Sequence, residues 1–70
     1  MDKETFVAMV KSHDLTYMYS DDAYVRGKGH DSLMQIRAAA KLLPEEFVKE
    51  TWNAKVDRVL GEGYRKEFYW

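Results

Sequence analysis

Apolar positions near the start of the chain recur with the period of an α-helix. Asp2 precedes this pattern, where a carboxylate can cap the first turn. One helix face, with the spacing i, i+3, i+4 and i+7, would contain Phe6, Met9, Val10 and His13. The segment over residues 1–13 is therefore predicted to be the first helix.

The next stretch, LTYMYSDDAYVRGKG, has a different pattern. Leu15, Tyr17 and Tyr19 alternate with other residues, as in a half-buried strand, and AYVR is a second short β-prone run. The SDD between them supplies turn-forming side chains. A small β-hairpin is predicted here. Gly27 and Gly29 are expected to break the chain after it, since glycine permits backbone angles closed to other residues.

A second helix is predicted over the stretch SLMQIRAAAKLL. Ser32, followed by Gln35 three residues later, matches a capping box at its start. Pro44 disfavours helical geometry in the residue before it and should end the helix. The predicted apolar face contains Leu33, Ile36, Ala40 and Leu43.

The third predicted helix has the longest apolar stripe in the chain. Pro44 is suited to be its first residue, and Gly61 is placed to end it. The stripe contains Phe47, Val48, Thr51, Trp52, Val56, Val59 and Leu60. Its regularity predicts a helix packed against the other two.

The chain closes on YRKEFYW, in which four of seven residues are aromatic. After Gly61 and Gly63 the chain can reverse, and seven extended residues reach about 23 Å. We expect Phe68 to be buried against the helices, with Tyr69 or Trp70 partly exposed at the edge of the core.

Composition agrees with one small globular domain over residues 1–70. Hydrophobic residues make up 46% and charged residues 33% of the chain, which is typical of a folded protein. The predicted fold is mainly α with a minor β part: a compact three-helix domain with a small β-hairpin between the first and second helices. The chain has no cysteine, no apolar run of about 20 residues and no basic leader, so we expect a cytoplasmic protein.

The net charge of −1 conceals an uneven distribution. Residues 1–22 have five carboxylates against two lysines, giving −3, whereas residues 23–43 have four cations against one aspartate, giving +3. Residues 44–70 have a net charge of −1. The middle of the chain is thus basic and its two ends are acidic. A typical nucleic-acid-binding domain is strongly basic, which this chain is not.

Residues that could perform chemistry are scattered along the chain. His30 and Asp31, with Asp21 and Asp22, could suggest a metal or acid–base site. However, the first pair follows two glycines and the second pair lies in a predicted turn, so both pairs are expected in solvated loops. His13 is better explained as a histidine at a helix end or core edge. The serines lack a nucleophile-elbow motif, and so small a domain seldom encloses a pocket of about 300 Å³. We expect no catalytic residue, metal or cofactor.

The remaining functional candidates are surfaces. Protein interfaces favour Tyr, Trp, Met and Arg, and the chain has five tyrosines and two tryptophans. Some of these rings should be accessible to a protein partner. The candidate protein-binding residues are Tyr17, Tyr19, Asp21, Asp22, Tyr24, Arg26, Tyr69 and Trp70.

Two alternatives remain open. A nucleic-acid-binding protein would use the basic segment 26–41, with Tyr24 as a stacking ring. Its candidate residues are Arg26, Lys28, Arg37 and Lys41. A helix-turn-helix around Pro44 is disfavoured, because glutamates at the start of the next helix would repel phosphates. The other alternative is a self-assembling structural component, which predicts homo-oligomers.

Five short segments together form a recognisable pattern: YSDD at 19–22, VRG at 25–27, IRAAAKLLP at 36–44, WNAKVD at 52–57 and FYW at 68–70. With this pattern the chain resembles small uncharacterised accessory proteins of tailed bacteriophages. The resemblance spans most of the chain but includes no defining catalytic motif, and it assigns no residue a role. It implies a non-enzymatic protein in the host cytoplasm that binds and inhibits or modulates a host protein or defence complex.

Overall fold

The computed structural model of the protein describes residues 1–65, and these form a mainly helical domain. The α-helices are α1 (Lys3–Ser12), α2 (Ala23–Ala40) and α3 (Glu45–Val59). Short 3₁₀ turns lie at Tyr17–Tyr19 and Glu62–Tyr64. The predicted helical class is confirmed. No helix within these 65 residues has both the length and the apolarity that crossing a bilayer requires.

The first helix begins as the sequence predicts. Asp2 Oδ1 accepts a hydrogen bond from the Thr5 backbone N–H at 2.7 Å, and this bond lowers the pKa of the Asp2 carboxyl. Phe6, Val10 and His13 are buried on the predicted face. α1 packs against both α2 and α3, so its apolar face lies at the centre of the core.

The predicted β-hairpin is wrong for the described residues, which include no strand. Leu15 and Tyr17 are buried as expected, but Tyr17 belongs to a 3₁₀ turn. The AYVR run forms the first turn of α2, which Asp22 caps by accepting the Tyr24 N–H at 2.9 Å. Alternating apolar residues over so short a stretch also fit a turn that buries one ring and exposes the next.

The second helix begins ten residues earlier than the capping-box pattern predicts. Ser32 lies in the interior of α2 and its hydroxyl contacts His13, so the predicted cap is wrong. Gly27 and Gly29 do not break the chain. Gly29 is buried beneath Tyr17, and a Cβ built on it would lie 2.2 Å from the Tyr17 Cβ. This close packing explains why a residue with low helix propensity lies inside a helix.

The third helix closely follows its predicted stripe. Pro44 is its N-cap, so the helix begins at Glu45, one residue later than predicted. Val48, Trp52 and Val56 are buried. Val59 is exposed, contrary to prediction. The other core residues are Phe6, Val10, Leu15, Ile36 and Ala39.

A glycine ends α3 as predicted. Gly61 has φ 107° and ψ 160°, a conformation almost restricted to glycine, and its N–H donates to the Val56 carbonyl at 3.0 Å. The chain then returns toward α3, where the Arg65 guanidinium pairs with Asp57. The predictions for Phe68, Tyr69 and Trp70 concern residues outside those described.

Candidate functional site

The segment between α1 and α2 is held by short-range hydrogen bonds. Asp14 Oδ1 accepts from the Thr16 N–H at 2.9 Å and from its hydroxyl at 2.8 Å, and these bonds lower the pKa of Asp14. Ser20 Oγ accepts the Asp22 N–H at 3.1 Å. These local hydrogen bonds restrain a segment whose only regular structure is a single 3₁₀ turn.

Arg26 closes the same segment from α2. Its guanidinium donates to the Ser20 carbonyl at 2.6 Å. A charged donor on a backbone carbonyl is among the stronger hydrogen bonds, although this one is exposed. Arg26 therefore has a structural contact in addition to its predicted role in binding.

Tyr17 anchors this segment in the core. Its side chain packs on the backbone of Gly29, and its ring centroid lies 5.7 Å from that of His13 in an edge-on arrangement. Because Tyr17 is buried, little of its ring can reach a partner. Tyr17 therefore anchors the segment, and its role in binding a partner stays a prediction.

The neighbouring tyrosines point outward. Tyr19 is 70% exposed and Tyr24 is 68% exposed. The Lys28 ammonium lies 5.3 Å from the centroid of the Tyr24 ring, which is within cation–π range. The two tyrosines and three further exposed residues near them in the chain form a surface that we call the tyrosine surface. It consists of Met18, Tyr19, Asp21, Asp22 and Tyr24.

A shallow cavity of about 240 Å³ adjoins this surface. Tyr24 and Lys28 line it from α2, and Asp14 lines it from the end of α1. The volume falls below the range of about 300–1,000 Å³ that ligand sites occupy. It suits one small side chain of a partner better than a separate ligand.

A buried polar cluster lies beneath the cavity. His13 is only 3% exposed, and its Nδ1 lies 3.0 Å from Ser32 Oγ. Its ring centroid lies 5.7 Å from that of Tyr17 and 5.9 Å from that of Trp52. Burial lowers the pKa of His13, the nearby Lys55 ammonium lowers it further, and Asp14 opposes both effects. His13 is thus a neutral core residue at neutral pH.

A serine–histidine contact is also a feature of hydrolases, but the surroundings here favour a structural role. Ser32 lies within α2, where successive N–H groups donate to carbonyls of the same helix. Those groups cannot form an oxyanion hole for a substrate on Ser32. The hydrogen bond instead satisfies two polar groups at the junction of α1 and α2.

Lys55 is a buried residue that the sequence reasoning missed. Its ammonium donates to the Lys11 carbonyl at 2.6 Å, and burial followed by the charge of Arg58 lowers its pKa. A signal was available, since Lys55 follows Val48 by seven residues, or two helical turns. That spacing places both on the buried side of α3.

The basic residues of α2 do not all share one side. Arg26, Arg37 and Lys41 fall within one angular sector of the helix, because eleven and fifteen residues are close to whole numbers of turns. Lys28 lies on the other side, near Tyr24. All four are exposed, and within residues 1–65 none is in an ion pair.

The remaining titratable residues and terminal rings complete the comparison with the sequence. His30 and Asp31, which were expected in a solvated loop, belong to α2. Both are exposed, and residues 1–65 contain no cluster of His, Cys, Asp and Glu that could hold a metal ion. Tyr69 and Trp70 lie outside the described part of the chain. Comparison with models of protein families, with curated proteins and with solved structures yields no match for this chain.

Proposed function

We propose that the protein is a non-enzymatic protein-binding module that contacts its partner through the tyrosine surface. The observation that supports this proposal best is the pair of exposed rings: Tyr19, on the segment that Tyr17 fixes to the core, and Tyr24, in the first turn of α2. Aromatic side chains contribute much contact area with few rotatable bonds. A fixed segment also reduces the entropy that binding would otherwise cost.

The charges indicate the chemistry of the partner. Asp21 and Asp22 are exposed between the two rings in the chain. An acidic site beside aromatic rings favours a partner with lysine or arginine near apolar side chains, because opposite charges steer association and discriminate against acidic surfaces. The resemblance to phage accessory proteins suggests a host protein or defence complex in the bacterial cytoplasm.

A capture experiment with paired variants tests this function. The full chain, Tyr19→Ala with Tyr24→Ala, and Arg37→Glu with Lys41→Glu would each be used to capture proteins from nuclease-treated bacterial lysate. The proposal predicts a stoichiometric protein that the tyrosine variant loses and the charge-reversed variant retains. Both variants change exposed residues, so circular dichroism should show that they remain folded.

A nucleic-acid-binding function is the second candidate. Arg26, Arg37 and Lys41 lie along one exposed side of α2, which favours contact with a phosphate backbone. Under this alternative, Arg37→Glu with Lys41→Glu would abolish binding to DNA or RNA. The affinity of the unmodified chain would also fall steeply with added salt. The protein-binding proposal would be overturned if Arg37→Glu with Lys41→Glu lost the bound molecule while Tyr19→Ala with Tyr24→Ala retained it.

A further inference from the structure

A second concave surface lies between α1 and α3. Val7 and Val10 from α1 and Ala54 from α3 contribute apolar side chains to it. Its volume is about 290 Å³, just below the range of about 300–1,000 Å³ for ligand sites, and one side is open to solvent. We call it the α1–α3 groove. A short aliphatic group fits these dimensions and this lining.

Lys55 contributes a buried positive charge to the groove. The residue is only 8% exposed, and its one hydrogen bond within residues 1–65 is to the Lys11 carbonyl. An ammonium has three donors. No carboxylate of the described residues lies within ion-pairing distance of it. Asp14 acts on this ammonium electrostatically, but from beyond ion-pairing distance. A largely buried charge without an ion-pair partner is unfavourable, so an anion that reaches Lys55 would gain a stronger interaction than it would with an exposed lysine.

The residues at the edge of the groove strengthen this positive character. Lys11 and Arg58 both line it and are exposed, and within residues 1–65 neither forms an ion pair. Glu50 is the acidic residue among those lining it. Three cations therefore oppose one anion around an apolar floor. This arrangement complements a molecule with one anionic end and one apolar end.

We propose that the α1–α3 groove binds an amphipathic carboxylate, a short aliphatic chain with a single anionic head group. The head group pairs with Lys55, assisted by Arg58 and Lys11. The chain lies against Val7, Val10 and Ala54. This site is separate from the tyrosine surface and does not depend on the function proposed for it.

Titration of the full chain with octanoate, below the concentration at which it forms micelles, tests the proposal. Amide chemical shifts should change at Val7, Val10 and Ala54 and remain constant at Tyr19 and Tyr24. Octanol and octylamine have the same chain length with a neutral and a cationic head group. Octanoate should bind about tenfold more tightly than octanol, and octylamine more weakly than either, because the head group contacts cations.

Lys55→Met removes the charge and keeps most of the aliphatic stem. This variant should bind octanoate about tenfold less tightly and octanol about equally, since only the charged contact is lost. Lys41→Met, on α2, should bind both ligands as the unmodified chain does. If Lys55→Met fails to fold, Arg58→Gln provides a second variant at an exposed position, with a smaller loss expected for octanoate alone.

The pKa of the Lys55 ammonium provides a further test, because it would not change on addition of octanoate if Lys55 had only a structural role. Its pKa, followed by NMR of the side chain, should rise when octanoate binds, because a nearby anion favours the charged form. Equal affinities for octanoate and octanol, an unchanged Lys55 pKa, or shifts outside the groove would each overturn the proposal. So would a concentration-dependent dimer that Val7→Asp dissociates, since the groove would then bind a second copy of this chain.

Discussion

Tyr17 packs directly on the backbone of Gly29, and a methyl group at position 29 would lie 2.2 Å from the Tyr17 Cβ. This contact fastens the segment between α1 and α2 to the middle of α2. The exposed Tyr19 and Tyr24 both lie in the chain between Tyr17 and Gly29. The position of the tyrosine surface therefore depends on Gly29, because only a residue without a side chain leaves room for Tyr17.

Gly29→Ala should lower the free energy of unfolding by about 1–3 kcal/mol, because Tyr17 must move to admit the methyl group. Gly27→Ala is the matched control, since a Cβ there meets nothing within 4 Å in the same helix. It should raise the stability by up to about 1 kcal/mol through helix propensity. Urea denaturation of both variants checks this, and equal effects would contradict the packing described for Gly29.

Asp21 and Asp22 are adjacent acids with different structural roles. Asp22 caps α2, so Asp22→Ala should cost about 0.5–2 kcal/mol, whereas Asp22→Asn should retain most of the stability. Asp21→Ala, at an exposed position, should stay within about 0.5 kcal/mol of the unmodified chain. Thermal denaturation distinguishes them. A larger loss for Asp21→Ala than for Asp22→Ala would show that the helix begins elsewhere.

Trp52 is the largest fully buried side chain in the described part of the protein, and Trp52→Ala should cost about 3–5 kcal/mol. That is a large share of the stability of a domain this small. Val59→Ala in the last turn of the same helix should change stability by less than about 0.5 kcal/mol, because Val59 is exposed. Similar melting temperatures for the two variants would contradict the position of α3.

His13 should make the protein sensitive to mild acid. Its pKa in the folded state lies below the ordinary value of 6.5, so the unfolded chain binds the proton more tightly. Stability should therefore fall as the pH decreases below about 6.5 toward the folded-state pKa of His13. Protonation is opposed from α3 by Lys55 and favoured by Asp14, while the Ser32 hydroxyl faces the ring from α2.

His13→Gln checks this dependence, since its neutral amide cannot take up a proton in this range. The free energy of unfolding, measured between about pH 7 and pH 5, should lose most of its slope in this variant. His30→Gln, at an exposed position, should keep the slope. A slope that persists in His13→Gln and disappears in His30→Gln would contradict the burial of His13.

The sequence predicted the parts of the fold that depend on local signals. The Asp2 cap, the stripe through Trp52 and the glycine at 61 each follow from residues within a few positions of one another. The prediction of a hairpin was wrong because it also used only neighbouring residues. Tyr17 instead packs on Gly29, which lies twelve residues away in the chain. Glycine was interpreted as a helix breaker, although here it provides room for a ring.

The candidate surfaces depend still more on contacts distant in sequence. Ser32 matched a cap pattern, but its partner is His13, nineteen residues earlier. Lys55 lies in a charged run and reaches the end of α1, forty-four residues away in the chain. Periodicity could place Lys55 on the buried side of α3, but only the packing of α1 shows which carbonyl its ammonium meets.

Site-specific photo-crosslinking tests the protein-binding proposal most directly. A benzophenone amino acid placed at position 19, at position 24, or at the equally exposed Leu42 would report direct contact with a partner in lysate. The account predicts the same crosslinked protein from positions 19 and 24 and none from position 42. Crosslinking from position 42 alone, or equally from all three positions, would contradict the tyrosine surface as the binding site.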